Sequence, residues 1–292
     1  MFDGFDINNP ITAIKIVSKI EIDAITILIT RNGGVFTRPP IHLHDEFIDT
    51  HNDEKKIESK LNFQDKFANL ANRIVCDLCT LGVVTEPVTP VHISKASLID
   101  SHALITSAGG GREMYLHRTI EPSRQLIKQT WFDNKIISPS ILEEIKAEGI
   151  STKLITISEN LPLFIANAYS LFSQQRYGEA LIDSWIVVEQ ILDYIWEKYT
   201  SEIHDEKRLN RLKDTRTYSA SVRTEVLLLT GMLSRFEYDI IQRARSNRNG
   251  LAHRAKISLD WAHEGMMAMK CAIEHVTEIE LAYPQPNRFV TW

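Results

Sequence analysis

The sequence has few cysteines and no long hydrophobic run. Its 292 residues include three cysteines, an odd number that does not suggest a framework of disulfide bonds. No apolar stretch approaches the roughly 18 residues that a membrane-spanning helix needs. The opening residues Met1–Asp6 have neither a basic start nor an apolar segment, so we expect no secretory signal. Together these features predict a soluble cytoplasmic protein.

Net positive charge is also lacking. The chain has 33 Lys and Arg against 38 Asp and Glu, which gives a formal net charge of −5. We therefore do not expect nucleic acid to bind over the whole surface, and any contact with RNA should be made by a local patch. The segment from Arg235 to Lys256 has six Lys and Arg against Glu237 and Asp239. This local excess predicts such a patch, although it is also typical of a solvated helix end.

The motifs that usually hold metals or phosphate groups are incomplete. Cys76 and Cys79 form a Cys-x-x-Cys pair, but zinc would need two further ligands and there is no second pair. We expect them to be small side chains on the packed face of a helix. His42 and His44 lack an accompanying carboxylate cluster, and the Gly109–Arg112 loop lacks the spacing of a P-loop. The sequence therefore predicts no metal and no cofactor.

The first half of the chain predicts an α+β domain over residues 1–150. Residues 11–30 are rich in β-branched side chains, and their isoleucines alternate with polar neighbours as in a half-buried strand. A glycine-containing turn leads to a returning strand at residues 35–37. Residues 61–81 have apolar side chains at helical spacing, and residues 102–106 have the pattern of a short strand. No chemical motif assigns a role to this domain.

The second half predicts an all-α domain over residues 151–283, followed by a tail at residues 284–292. Two stretches have apolar residues at the spacing of a helical core seam. The first seam consists of Leu181, Trp185, Val188, Leu192 and Ile195. The second consists of Ala262, Met266, Met269, Ile273 and Val276. The fold class that we expect is therefore an α+β N-terminal domain followed by an all-α helical bundle.

A basic segment near the end of this half combines arginines, an amide and a histidine. Arg245, Asn249 and His253 follow one another at intervals of four residues, so they share one face of a helix. Arg248 lies five residues before His253 and must reach it with its long side chain or from a second subunit. Gly250 costs a helix about 1 kcal/mol relative to alanine, which indicates a tight approach or a local break.

This set of side chains suits the cleavage of a phosphodiester bond in RNA. A histidine near its reference pKa can accept or donate a proton at neutral pH, and an arginine binds phosphate oxygens as a fork. The neighbouring 2′-hydroxyl serves as the nucleophile, so the reaction needs no metal. The alternative is structural, because Arg and His at the end of a buried helix also cap carbonyls or bind a neighbouring carboxylate.

The run Arg248–His253 resembles the arginine–polar–three residues–histidine signature of HEPN domains (higher eukaryotes and prokaryotes nucleotide-binding). The upstream run Tyr177–Leu192 is similar to the leading helices of the Apea-like HEPN subgroup, and the likeness covers residues 155–280. The resemblance implies an all-α domain that acts as a metal-independent endoribonuclease and leaves 2′,3′-cyclic phosphate ends. It further implies a site at a homodimer interface, a toxin or antiviral defence effector, and an antitoxin or regulatory partner.

The resemblance also implies roles for individual residues. His253 would move the proton at the 2′-hydroxyl or at the leaving 5′-oxygen, Arg248 would stabilise charge on the phosphorane, and Asn249 would orient His253 or the phosphate. The residues expected to steer RNA are Arg243, Arg245 and Arg254. The acids expected to support the site are Glu189 and Asp183. A non-catalytic HEPN-like module that binds nucleotide, RNA or protein is the alternative, because the same Arg and His bind phosphate without cutting.

Overall fold

The computed structural model describes residues 11–22, 25–30, 35–37, 53–82, 86–89, 96–99, 102–106, 149–214, 216–251 and 257–281. The chain divides into two compact units. The first unit comprises Met1–Ile74, Val88–Gly149 and Val290–Trp292. The second comprises Val75–Pro87 and Ile150–Phe289. Each unit is described separately below.

The described strands of the first unit pair into one antiparallel sheet. They are β1 (Ile11–Ile22), β2 (Ile25–Thr30), β3 (Val35–Thr37), β4 (Ala96–Ile99) and β5 (His102–Thr106). The order across the sheet is β3-β2-β1-β5-β4. The first part of β1 pairs with β5 and the later part pairs with β2, where the register shifts between Ile16 and Ser18. Strand β1 therefore lies at the centre of the sheet, with β2 on one side and β5 on the other.

Helix α1 (Asp53–Thr80) begins in the first unit and ends in the second, since the division between the units falls between Ile74 and Val75. Its amphipathic pattern predicted a helix at residues 61–81, and that prediction is confirmed. The buried apolar side chains lie on both sides of the division: Ala68, Leu70, Ala71, Ile74, Val75, Cys76, Leu78 and Cys79. The last turns of α1 therefore belong to the helical unit.

The fold class expected from the sequence, an α+β domain followed by an all-α bundle, is wrong. Where burial is described, the buried residues lie in helices and the turns next to them, and the strand residues with a described burial, Lys19, Thr26 and Leu28, are not among them. Residues 75–87, which the sequence pattern assigns to the first domain, are part of the helical unit. The physical reason is that an amphipathic pattern identifies a buried helix face but not the partner that covers it. The helical part by itself is compatible with the expected bundle.

The helical unit is built around one central helix. Its described helices are α2 (Ser151–Leu154), α3 (Leu161–Ser173), α4 (Tyr177–Ser201), α5 (Glu206–Lys213), α6 (Ala220–Leu229), α7 (Arg235–Leu251) and α8 (Leu259–Thr277). Helix α4 packs against α3, α6, α7 and α8. All five residues of its predicted seam are buried, as are four of the five in α8, with Val276 partly buried. Apolar spacing therefore identified the two helix faces that form this core.

Helices α4 and α8 approach each other closely at Gly265. A β-carbon at this glycine would lie 2.7 Å from Cδ1 of Leu181 and 3.6 Å from Cβ of Ser184. The Ser184 hydroxyl donates a hydrogen bond to the carbonyl oxygen of Ala180 at 2.6 Å, so it is satisfied within its own helix. A larger residue at this crossing would require the Leu181 side chain to move.

A buried carboxylate connects the end of α1 to the start of α2. Asp77 accepts hydrogen bonds from the backbone N–H and the hydroxyl of Ser151, each at 2.8 Å. The flanking Cys76 and Cys79 are fully buried, which confirms them as small packed residues. Burial raises the pKa of the Cys76 thiol well above its usual value, and Asp77 and Cys79 add to the shift. The described residues contain no group of three or more His, Cys, Asp or Glu that could hold a metal ion.

Two further results bear on the predictions from sequence. None of the described helices is both long enough and apolar enough to cross a membrane. His42, His44, the Gly109–Arg112 loop and the tail at residues 284–292 lie outside the described residues.

Candidate functional site

Helix α7 carries four of the predicted site residues, and its first turn is fixed in two ways. Ser234 and Glu237 form a reciprocal capping box, in which Ser234 N–H donates to Glu237 Oε2 at 2.6 Å and Glu237 N–H donates to Ser234 Oγ at 3.2 Å. The other carboxylate oxygen of Glu237 lies 2.7 Å from Nδ1 of His275 on α8. The start of α7 is therefore anchored to the last turn of α8.

The carboxyl group of Glu237 shows the balance of forces at this anchor. Burial opposes its ionisation and is the largest single effect on its pKa. The hydrogen bonds from Ser234 and His275 together outweigh burial, so the pKa of Glu237 lies below its ordinary value. Nearby, burial first and the carboxylates of Glu237 and Glu274 next raise the pKa of the Cys271 thiol to about 11. A thiol with this pKa is a poor nucleophile, so this cluster does not resemble a cysteine-based catalytic site.

The other end of α7 is positioned by a glycine. A β-carbon at Gly250 would lie 2.9 Å from Cη2 and 3.2 Å from Cζ3 of Trp261, which stands on α8. The helix continues through Gly250 to Leu251, so the glycine serves a tight approach rather than a break. Gly178, at the start of α4, faces the side chains of Leu251 and Ile257, each 3.5 Å from where its β-carbon would be. Gly250 therefore lets this end of α7 pack closely on α8, whereas a β-carbon at Gly178 would make only ordinary contacts.

Arg248 and Asn249 lie exposed on the last turns of α7. Nη1 of Arg248 donates a hydrogen bond to Oδ1 of Asn249 at 3.2 Å. No described carboxylate forms an ion pair with Arg248. The amide therefore holds the guanidinium without neutralising it, which leaves a full positive charge at the surface.

The two remaining arginines of α7 in the predicted set differ in their surroundings. Nε of Arg243 lies 3.5 Å from Oε1 of Glu264 on α8, and both side chains are largely exposed. The amide of Asn247 also donates to Glu264. Arg245 is partly buried, and its Nη1 is enclosed without an acceptor among the described residues. Of the two, only Arg243 has a described counter-charge.

The two predicted acids stand on α4. Asp183 is partly buried, and burial followed by repulsion from Glu179 raises the pKa of its carboxyl group. Glu189 is also partly buried. Within the described ranges, neither acid forms an ion pair with an arginine of α7. The structure therefore brings Arg248 and Asn249 together but does not join the acids to them.

His253 and Arg254, the other predicted site residues, lie outside the described residues. The described part of α7 ends at Leu251, two residues before His253.

Several residues that shape the site were not predicted. Trp261 and Glu264 come from α8, and nothing local in the sequence connects them to Gly250 or Arg243. The capping box at the start of α7 had a signal, because Ser234 is followed three residues later by a glutamate just before an apolar helix.

Comparison of the chain with protein-family models, with curated proteins and with solved structures finds no match. The site is therefore interpreted from its own residues.

Proposed function

We propose that the chain is a metal-independent endoribonuclease of the HEPN type, which leaves 2′,3′-cyclic phosphate ends. The observation that carries this proposal is the charge along α7. Arg235 pairs with Asp239 at 3.0 Å and Arg243 pairs with Glu264. Arg245 and Arg248, in the turns next to His253, have no carboxylate partner among the described residues. A phosphate group would supply the missing negative charge.

Each residue of the motif has a distinct task in this proposal. His253 accepts the proton of the 2′-hydroxyl or donates one to the leaving 5′-oxygen. Arg248 stabilises the charge that develops on the phosphorane, an effect of a few kcal/mol in comparable electrostatic sites. Asn249, whose Oδ1 accepts from Arg248, holds the guanidinium in position as well as orienting the phosphate. Because the 2′-hydroxyl is the nucleophile, DNA is not cut.

A homodimer completes the site in this proposal. Arg248 and His253 are five residues apart and do not share one helix face, so two facing copies of the motif could combine the arginine of one with the histidine of the other. Two such arginine-rich surfaces repel each other unless acids or phosphate lie between them. Asp183 and Glu189, which have no described cationic partner, are candidates for that role. By analogy with the family, the protein acts in the cytoplasm as a toxin or antiviral defence effector, under an antitoxin or regulatory partner.

Cleavage of mixed cellular RNA in excess EDTA tests the proposal. The full chain should cut RNA, leave 2′,3′-cyclic phosphate ends, and leave DNA of the same sequence intact. His253→Ala and Arg248→Ala should each lower the rate by at least about 100-fold. The matched controls are His204→Ala, at an exposed position between α4 and α5, and Arg235→Ala, at the far end of α7. Both controls should retain the wild-type rate.

Three other results would change the interpretation. Cutting that stops in EDTA would show that the reaction needs a metal and would refute the proposal. Equal cutting by wild-type protein and His253→Ala would place the active site elsewhere. Binding of RNA without cutting, abolished by Arg248→Ala, would favour the non-catalytic HEPN-like binding module.

A further inference from the structure

Arg245 is a partly buried cation with no counter-charge among the described residues. Its Nη1 is enclosed, and no described residue accepts a hydrogen bond from it or pairs with it. Arg223 in the same unit shows the usual arrangement, because it is also largely buried but pairs with Asp193 at 2.5 Å. Removing a guanidinium from water without an anion or an acceptor is unfavourable. Arg245 is therefore suited to a ligand that brings its own negative charge.

Helix α4 lies alongside Arg245 and runs antiparallel to α7. At one end Gly178, near the start of α4, faces Leu251, the last residue of α7. Further along, Leu192 of α4 and Ile241 of α7 line the same crevice. Residue numbers therefore rise along α4 as they fall along α7.

Trp185 lies midway between these two contacts on α4, as Arg245 does on α7. The indole Nε1 of Trp185 is buried and has no acceptor among the described residues. Two enclosed donors thus occur in the same stretch of the helix pair, and neither has an acceptor in the part of the chain that the structure describes. The enclosed amide oxygen of Gln190, also on α4, has no donor among the described residues, so it is the guanidinium charge of Arg245 that favours an anion as the ligand.

Arg245 also has a fixed relation to the proposed cleavage site. It stands one helical turn before Asn249, about 6 Å along the helix axis, and the two share a helix face. Asn249 in turn holds Arg248, the residue proposed for the scissile phosphate. A separation of one helical turn is on the scale of one nucleotide along an extended strand.

We propose that Arg245 binds the phosphate next to the scissile one, so that the substrate is a strand with a charged phosphate on at least one flank of the cleaved bond. This inference rests on the proposed ribonuclease function. It assigns Arg245 as a specificity residue rather than a catalytic one, and it predicts that a lone dinucleotide is a poor substrate.

Chimeric oligonucleotides test this directly. A DNA strand with a single ribonucleotide fixes the scissile bond, and one flanking phosphate at a time is replaced by a neutral methylphosphonate. With the full-length wild-type protein, neutralising one of the two flanking phosphates should lower kcat/KM by about 10- to 100-fold. Arg245→Met should show the same loss with the unmodified strand and no further loss with the methylphosphonate. Arg245→Lys, which keeps a charge but not the fork, should fall between the two.

The control is Arg235→Met, because Arg235 lies on the same helix but already pairs with Asp239. It should keep both the wild-type rate and the wild-type sensitivity to the methylphosphonate. Sensitivity that persists in Arg245→Met would overturn the proposal. The proposal would also be overturned if Arg245→Met dissociated into monomers and its rate still fell with the methylphosphonate. Arg245 would then bind a second copy of the chain and not the phosphate.

Binding separates this inference from the ribonuclease proposal. Fluorescence anisotropy measures the affinity for an all-deoxy strand, which cannot be cut by the proposed mechanism. The affinity of Arg245→Met for the unmodified strand should fall as much as the affinity of wild type for the strand with that one methylphosphonate. If wild-type protein cuts nothing but binding follows this pattern, the phosphate site stands and the ribonuclease proposal fails. If Arg245→Met binds as tightly as wild type, the phosphate site is refuted, whatever the protein cuts.

Discussion

Gly250 lies against the indole of Trp261 with no room for a β-carbon, which would stand 2.9 Å from Cη2. This contact decides the effect of a substitution that otherwise looks favourable. In an open helix, Gly→Ala stabilises by about 1 kcal/mol. Here the added methyl group must displace a large ring, and such overpacking costs about 1–3 kcal/mol. The two effects oppose each other, and the clash is the larger.

We therefore predict that Gly250→Ala destabilises the protein by about 1 kcal/mol, measured by chemical denaturation. Ser246→Ala, at an exposed position on the same helix, should be neutral or slightly stabilising and serves as the control. Trp261→Phe removes the contacting part of the ring, so Gly250→Ala should be better tolerated in that background. Additive effects of the two substitutions would show that the contact is not the cause.

The hydrogen bonds of Glu237 with Ser234 and His275 predict a dependence of stability on pH. The pKa of Glu237 lies below the unfolded value of 4.5, so its ionised form stabilises the folded state. That contribution is complete above about pH 4.5 and is lost as the pH falls through the lower pKa of the folded state. Glu237→Gln should thus be less stable than wild type at pH 7, by about 1 kcal/mol. The difference should shrink in acid, and a difference that stays constant down to pH 3 would contradict the assignment.

Asp183 predicts the opposite behaviour. Burial and the charge of Glu179 raise its pKa above the unfolded value of 3.8, so ionised Asp183 opposes folding at neutral pH. This unfavourable contribution is complete above the raised pKa and disappears as the pH falls to about 3.8. Asp183→Asn should therefore raise Tm at pH 7 but not at pH 3.5. The control is Asp193→Asn. Asp193 lies on α4 like Asp183 but pairs with Arg223 of α6, so this substitution should not raise Tm.

The cysteines predict slow modification of the native protein. Cys76 and Cys79 are fully buried, so a disulfide reagent should reach them only after unfolding, at least about 1,000-fold more slowly than in denaturant. The thiol of Cys271, with a pKa of about 11, should be ionised in about one molecule in a thousand at pH 8. Rapid labelling of any thiol without denaturant would disagree with the described packing.

The sequence allowed good prediction where one segment determines its own environment. The apolar spacing of Leu181 to Ile195 identified the packed face of α4, because a helix with one apolar stripe must bury it. The tight approach at Gly250 was foreseen as one of two outcomes, since glycine is rarely kept inside a helix without a reason. The partner of the glycine, Trp261, could not be foreseen because it comes from another helix.

Prediction failed where two distant segments decide the result together. The pattern of α1 shows a buried face, but not that the turns from Val75 onward belong to the helical unit. The count of Lys and Arg in the sequence of α7 predicts a single basic patch. The structure separates them, because Glu264 of α8 pairs with Arg243 and leaves Arg245 without a described partner. Which charge is neutralised depends on packing between helices, and residue counts cannot supply that information.

The course of α1 limits how this chain can be divided or recombined. A shortened chain that begins at Ile150 would contain every predicted site residue but would lack Val75–Pro87. It would lose the carboxylate of Asp77, which caps Ser151, together with the apolar side chains of that stretch. The helical unit is thus not one continuous segment of the chain, and a gene fusion that began at Ile150 would not transfer all of it. Any exchange of the preceding part must carry the end of α1 along with it.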